Sequence, residues 1–322
     1  MRTLILNTII FLALLSCNSK NSTKVLPESA GTINRLTIVI NNDLWKGSVG
    51  DSLREIIAAP ILGLPQEENQ FSVTQVPVKT FGRLFKSSRN LLFIGIADNE
   101  GYTVKNDLYA APQTAMTILG KDASSLIKQI NAHKEDIITV FKNSDLKFYQ
   151  KKITRKHWNI DSIKTFTRLG FQLKIPKPGY NLVDDTGDFV WFRQDIPKGS
   201  MNIIAYALPL IERDSIVNHI VAARDTIGKK HIPGQFEGTY MITEAAYTPF
   251  TKQVELNGKP AFETRGKWEV KGDFMAGPFL NYTVIDEKHN RLLVVEGFTY
   301  APSVKKRDYM FELEAILKTL KF

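Results

Sequence analysis

Residues 281–296 read NYTVIDEKHNRLLVVE: two apolar-rich runs, Asn281–Ile285 and Arg291–Glu296, separated by the polar stretch Asp286–Asn290. β-Branched and aromatic residues bounded by Asp and Asn are the signature of two strands and a turn. Five residues suffice to join antiparallel strands, whereas a parallel crossover takes a dozen or more. The same grammar recurs upstream. Asn257-Gly258 is a two-residue hairpin signal between Lys252–Leu256 and Ala261–Arg265, with Lys267–Val270 following. Thr239–Thr243, Met201–Leu208, Asp188–Gln194 and Phe171–Ile175 add further strands, with Pro197-Lys198-Gly199 as a turn. Two helices are expected among them. One is Asp214–Ile227, stopped at Gly228; the other starts near Ser303 and buries Met310, Leu313, Ile316, Leu317 and Leu320. Residues 171–322 are therefore expected to form a mainly antiparallel sheet packed with two helices.

The earlier residues follow a different pattern. Arg35–Ile40, Phe71–Val78, Asn90–Ile96 and Ala115–Leu119 read as strands, and Ser52–Ala59 as a short helix ending before Pro60. A longer helix follows the N-cap Asp122, with Leu126, Ile127, Ile130, Ile137, Ile138 and Phe141 on one face. Residues 33–143 thus form a mixed α/β half. Residues 144–170 are expected to be a helical connector, broken near Trp158 and stopped by Gly170. Its basic cluster of Lys147, Lys151, Lys152, Arg155, Lys156 and His157 reads as the wet face of that connector, since Leu146, Tyr149 and Ile153 supply a core-facing side. The class is α+β.

The N-terminus carries the clearest signal. Arg2 precedes the apolar stretch Leu4–Leu15, which is too short to span a bilayer and matches a secretory signal over residues 1–16. Leu14-Leu15-Ser16-Cys17 resembles a lipobox, with the Cys17 thiol as lipid acceptor for palmitate-type chains. Cys17 is the only cysteine, which excludes an intrachain disulfide, a CxxC pair and a cysteine-rich metal site. Residues 17–32 read as a flexible polar tether. Residue 18 is Asn, not the Asp associated with inner-membrane retention, so the body is expected in the periplasm, anchored to the outer membrane. Loss of Arg2 with the signal lowers the formal charge from +9 to +8. That excess is spread along the chain, which points to solubility and not to a nucleic-acid partner.

Chemical motifs are few. Gly50-Asp51-Ser52-Leu53 spells the nucleophile block of GDSL esterases, and Asp286-Glu287-Lys288-His289 imitates their Asp-x-x-His; Gly95 and Asn99 would complete an oxyanion hole. Against this, Ser52 follows its strand too late, and His289 falls in a hairpin turn. Ser52-Leu53-Arg54-Glu55 ahead of Ile56-Ile57 also reads as a capping box. His133, His157, His219, His231 and His289 show no metal-ligand spacing. Asp184-Asp185-Thr186-Gly187-Asp188 lacks the distal Glu of a calcium loop and reads as a turn. No motif calls for a cofactor. The aromatic-rich stretch containing Trp268, Phe274, Phe279 and Tyr282 is the candidate ligand cleft.

Leu64-Pro65-Gln66-Glu67, Arg89-Asn90-Leu91-Leu92, Arg265-Gly266-Lys267-Trp268-Glu269, Phe274-Met275-Ala276-Gly277-Pro278-Phe279 and Gly297-Phe298-Thr299-Tyr300-Ala301-Pro302, with Lys306-Arg307 beyond, resemble strings of an uncharacterised Bacteroidota lipoprotein family, a domain of unknown function. The resemblance runs from about Arg35 to the C-terminus. It implies an envelope location and assigns no catalytic residue. The expected function is a non-enzymatic binding or structural module. It would be joined to the membrane through Cys17 and bind an envelope protein or an anionic or apolar envelope molecule. The alternative is an ester hydrolase using Ser52 and His289. Cys17→Ala is expected to move the protein from the membrane to the soluble fraction of cells; continued membrane partitioning would refute the anchor.

Overall fold

A computed structural model describes residues 25–322. The expected signal segment, Cys17 and the tether up to residue 24 lie outside the described residues. The rest of the expected tether is not free. Ala111 N donates to Pro27 O (2.9 Å), Ala30 N to Ser87 O (2.7 Å) and Arg89 N to Ala30 O (3.0 Å), so residues 27–30 are docked on the body.

The first half contains β1 (Arg35–Val39), α1 (Asn42–Lys46), α2 (Ser48–Ile57), β2 (Ser72–Val76), α3 (Arg83–Lys86), β3 (Asn90–Ile96), β4 (Gly101–Asn106) and β5 (Thr114–Gly120). Its sheet order is β2-β1-β3-β5-β4, parallel except for β4, which pairs antiparallel with β5. The near-continuous apolar runs of β1 and β3 are what a strand buried inside a parallel sheet requires. β4 was not expected: its residues are mostly exposed, so no apolar alternation marks this edge. Asp122 caps α4 (Ala123–Ala132) through a capping box, accepting from Ser125 N at 2.7 Å while its own N–H donates to Ser125 Oγ at 3.0 Å. The single long helix expected here is broken at His133, whose ring stacks on Tyr102, and resumes as α5 (Lys134–Ile153).

After α5 the chain forms a short helix α6 (Lys164–Leu169), ended by left-handed Gly170. Phe171–Ile175 is not a strand; only the isolated bridge Gln172–Lys321 forms there. The second sheet comprises β6 (Asn181–Asp185), β7 (Phe189–Ile196), β8 (Gly199–Pro209), β9 (Tyr240–Thr243), β10 (Phe250–Leu256), β11 (Lys259–Lys271), β12 (Ala276–Asp286) and β13 (Arg291–Tyr300). Its order is β10-β11-β12-β13-β8-β7-β6, wholly antiparallel, with β9 on the far end of β11. The turn at Asn257-Gly258 has both residues at positive φ (51° and 84°), as a two-residue hairpin demands. The two short strands expected around Gly266 are one strand. A side chain at Gly266 would meet the Phe279 ring at 2.8 Å, so the glycine serves packing and not a break.

Helix α7 (Arg213–His231) covers one face of this sheet and α8 (Arg307–Leu317) the other. α7 runs through Gly228, which was expected to stop it. That glycine lets the helix approach the β9 backbone, where a Cβ would lie 2.2 Å from Met241 O. Leu280, Tyr282, Val284, Leu293 and Val295 pack toward α8; Phe279, Ile285, Leu292, Val294 and Phe298 pack toward α7. On the α7 face the Arg224 guanidinium, fully buried, donates through Nε to both Glu296 oxygens (3.0 and 3.1 Å) and through Nη1 to Thr243 Oγ1 (3.0 Å). It also lies 4.0 Å over the Phe279 ring, and Asn281 Nδ2 donates to Glu296 at 2.9 Å. Removing one partner would strand a buried charge. Arg224→Met is expected to lower the unfolding free energy in urea by about 3–5 kcal/mol, with much of the loss recovered by adding Glu296→Leu; a loss under about 1 kcal/mol would show that the pair is not under this constraint.

Candidate functional site

The two halves meet where α8 lies against α5. Asn34 N donates to Asp145 Oδ2 (2.7 Å) and Asn34 Nδ2 to Asp308 Oδ1 (2.8 Å). Tyr149 OH donates to Glu312 (2.6 Å), and buried Glu68 accepts the Lys306 and Arg307 amides at 2.6 and 3.2 Å. Glu68 therefore caps the start of α8 from the other half, satisfying amides that a helix leaves unpaired. Beside these hydrogen bonds, Ile33 and Leu146 pack on Phe311 and Ala315, and one stretch of the seam stays open.

That opening is a cavity of about 610 Å³. α5 supplies Ile138, Lys142 and Leu146, each four residues apart and so on one helix face. α8 presents Arg307, Phe311 and Glu314 at the matching spacing, with Lys318 just beyond it. The loop before β2 adds Ile61, Leu62 and Leu64, and the edge of the second sheet adds Phe250, Lys252 and Arg265. The wall is apolar with five basic side chains and one carboxylate, Glu314. Arg265 bridges Glu263 (2.8 Å) and Glu314 (2.7 Å), and Lys318 reaches Glu314 at 2.6 Å. Burial alone would push the Glu314 carboxyl up, but Arg265 and Lys318 outweigh it and hold the group well below the usual range.

Among the described residues, no carboxylate forms an ion pair with Lys142. Its ammonium donates to Asn34 Oδ1 (2.7 Å) and Gln70 O (2.9 Å) and lies near the Phe71 and Phe311 rings. Burial, aided by Arg307, pulls its pKa down to about 8 against the opposing pull of Glu314, Asp145 and Asp308. Such a wall suits a ligand with an apolar body and an anionic end. Among the described residues lining it there is no His, Cys or Ser to act as nucleophile or base. A second, smaller cavity of about 180 Å³ lies between α7 and the sheet, lined by Tyr206, Leu208, Ile216 and Ile220 among others.

The residues singled out in the sequence do not converge here. Ser52 sits inside α2, whose N-cap is Gly47, so it is not a cap and the capping box does not form. The helix starts one turn earlier than the motif implies, and Asp51 instead pairs with Arg54 at 2.7 Å. His289 lies in the β12–β13 turn, its Nδ1 2.7 Å from Asp286. Burial opposes ionisation of Asp286, but Lys259, His289 and Arg291 overcome this and draw its pKa to about 2. Ser52 and His289 belong to different halves, and no hydrogen bond joins them. The aromatic cleft is likewise not formed: Trp268 and Phe279 are buried toward α7, Tyr282 toward α8, and Phe274 is fully exposed. Alternation along the strands splits the group between two faces. Asp185 accepts from Lys164 N (2.6 Å), Thr165 N (2.9 Å) and Thr165 Oγ1 (2.7 Å), which gives the Asp-rich stretch a role in capping α6. No sequence motif marks the cavity, because its wall is assembled from at least five separate segments. With no cap to lose, Ser52→Ala is expected to change the unfolding free energy by less than about 0.5 kcal/mol; a loss of 1 kcal/mol or more would restore the capping role.

Residues 29–154 match a family described as Domain of unknown function (DUF8532), and residues 158–319 match one described as Domain of unknown function (DUF4837). No curated protein matches the chain. Among solved structures, a mutant of Protein Mog1 is similar at 6% identity and a TM-score of 0.33, over 47% of this chain and 89% of that one. Human StAR-related lipid transfer protein 5 is similar at 9% identity and a TM-score of 0.24, over 45% and 89%. Similarity at this level carries no inference about function. The DUF4837 match spans half of the chain, and the protein belongs to that domain-of-unknown-function family.

Proposed function

We propose that this protein is a cell-envelope lipoprotein, anchored through an acylated Cys17 with its body in the periplasm, and that the body binds an amphipathic anion in the cavity between its halves. The observation carrying the binding reading is the cavity wall: apolar side chains with five cations facing a single carboxylate. Its volume of about 610 Å³ falls in the range typical of small-molecule sites. Glu314 is already engaged by Arg265 and Lys318, and Arg307 pairs with Asp308, which leaves Lys142 to meet an incoming negative group. A carboxylate or phosphate head would sit near Lys142, with its chain along Ile138, Leu62 and Phe311. The anchoring reading is supported by the signal-like stretch of residues 4–15 and the lipobox-like Leu14-Leu15-Ser16-Cys17.

The test is a calorimetric titration of the full chain with decyl phosphate and with decyltrimethylammonium, both below their micelle concentrations. The phosphate is expected to bind and the ammonium not. Lys142→Met should weaken phosphate binding about tenfold or more, the worth of one charged hydrogen bond. Lys142 is protonated below its pKa of about 8, so affinity should hold near neutrality and fall as the pH is raised through that value. Equal uptake of both head groups, or none, would refute the reading.

A further inference from the structure

Two turns meet at the β9 end of the second sheet. One, Lys271–Met275, joins β11 to β12 and carries Phe274, a fully exposed ring. The other, residues 233–239, joins α7 to β9 and carries Phe236, 59% exposed. They touch: a side-chain carbon at Gly272 would lie 3.1 Å from Thr239 Cγ2. Neither is loosely held. Val270 N donates to Met275 O (2.8 Å) and Phe274 N to Asp273 Oδ1 (2.6 Å), while Gly234 N donates to Thr239 O (2.9 Å) and Thr239 N to Phe236 O (3.1 Å). Behind the rings, the ammonium groups of Lys229 and Lys271 lie 5.5 and 5.9 Å from the Tyr240 ring centre, and Lys230 is exposed beside them. The acids of these turns are Glu237 and Asp273, and the Asp273 carboxylate is turned back onto the Phe274 amide.

We propose that these two turns form a membrane-docking tip, in which Phe274 and Phe236 enter an anionic lipid leaflet while Lys229, Lys230 and Lys271 lie at the level of its head groups. The shape favours lipid over a protein partner. The rings protrude from hydrogen-bonded turns and form no flat patch, and a soft medium accepts a protruding ring without a matching pocket. Aromatic side chains settle at the membrane interface, and lysines around them are drawn to anionic lipid. The flexible lysine stems let the charges stay in water while the rings go deeper. The tip is independent of the cavity between the halves, and contact is read at residue 274 itself, whether or not Cys17 carries a lipid.

The test places a reporter at the tip of the full chain. Phe274→Trp, and separately Val217→Trp as a control, are mixed with vesicles of phosphatidylglycerol and phosphatidylcholine whose acyl chains are brominated or not. Val217 lies on α7, 12 residues or about 18 Å back from Lys229. After subtraction of the wild-type signal, the tryptophan of the Phe274→Trp variant is expected to lose about half or more of its fluorescence to brominated chains, and that of the control little. Lys229→Glu with Lys271→Glu should cut the quenching at the tip at least about twofold. Phe274 is fully exposed among the described residues, and unchanged circular dichroism will show that the variant is folded. Absence of quenching at position 274, or equal quenching at 217, overturns the proposal.

Discussion

The central strands β12 and β13 are buried on both faces, and most of the second half follows from that. A sheet that gives neither face to water needs a helix on each side, and α7 and α8 fill those places. It also has to place its polar strand residues in the dry layer. Asn281, Thr283 and Glu296 point toward α7, where Arg224 makes the group self-satisfying: three donors reach Glu296 or its neighbours with nothing left to water. Replacing an ion pair of this sort by apolar residues is often neutral. Its role here is positional. It ties α7 to the sheet at three points, the guanidinium meeting Glu296, Thr243 and the Phe279 ring together.

α8 has two duties. Its apolar side closes the second core through Leu313, Ile316 and Leu317, and its other side forms the seam with α5. Against α5 it packs Phe311 and Ala315 onto Leu146 and Tyr149. Hydrogen bonds through Asn34, Asp145, Asp308 and Glu312 hold the halves together at points, and the space left beside them is the cavity. Its positive lining has the same origin. Arg265 and Lys318 serve Glu314 and Arg307 pairs with Asp308, while Lys142 uses a backbone and an amide oxygen and so keeps charge to offer.

The elements that could be read from the sequence are those with a local cause. The hairpin at Asn257-Gly258, the turn after Asp286, the Asp122 cap and the Gly170 stop all act within a few residues, and β1 and β3 declare themselves as apolar runs. β4 and β6 could not be read, since edge strands facing water carry no alternation. Ser52 shows how a local rule fails: Ser-x-x-Glu fits a cap, but the chain enters its helix one turn sooner, after Gly47. Trp268 to Tyr282 failed differently, because a hairpin sends alternate aromatics to opposite cores. The cavity is least visible of all. Its basic residues are scattered from Lys142 to Lys318 over separate elements, each resembling an ordinary wet helix face or sheet edge.

The central claim is that the opening between α5 and α8 is a seat for an amphipathic anion. Hydrogen–deuterium exchange of the full chain, with and without decyl phosphate, tests it most directly. A ligand held between the two helices should slow exchange in residues 138–146 and 307–318 and leave α7 unchanged. Unaltered exchange in both helices at saturating ligand, or protection confined to α7, would contradict it.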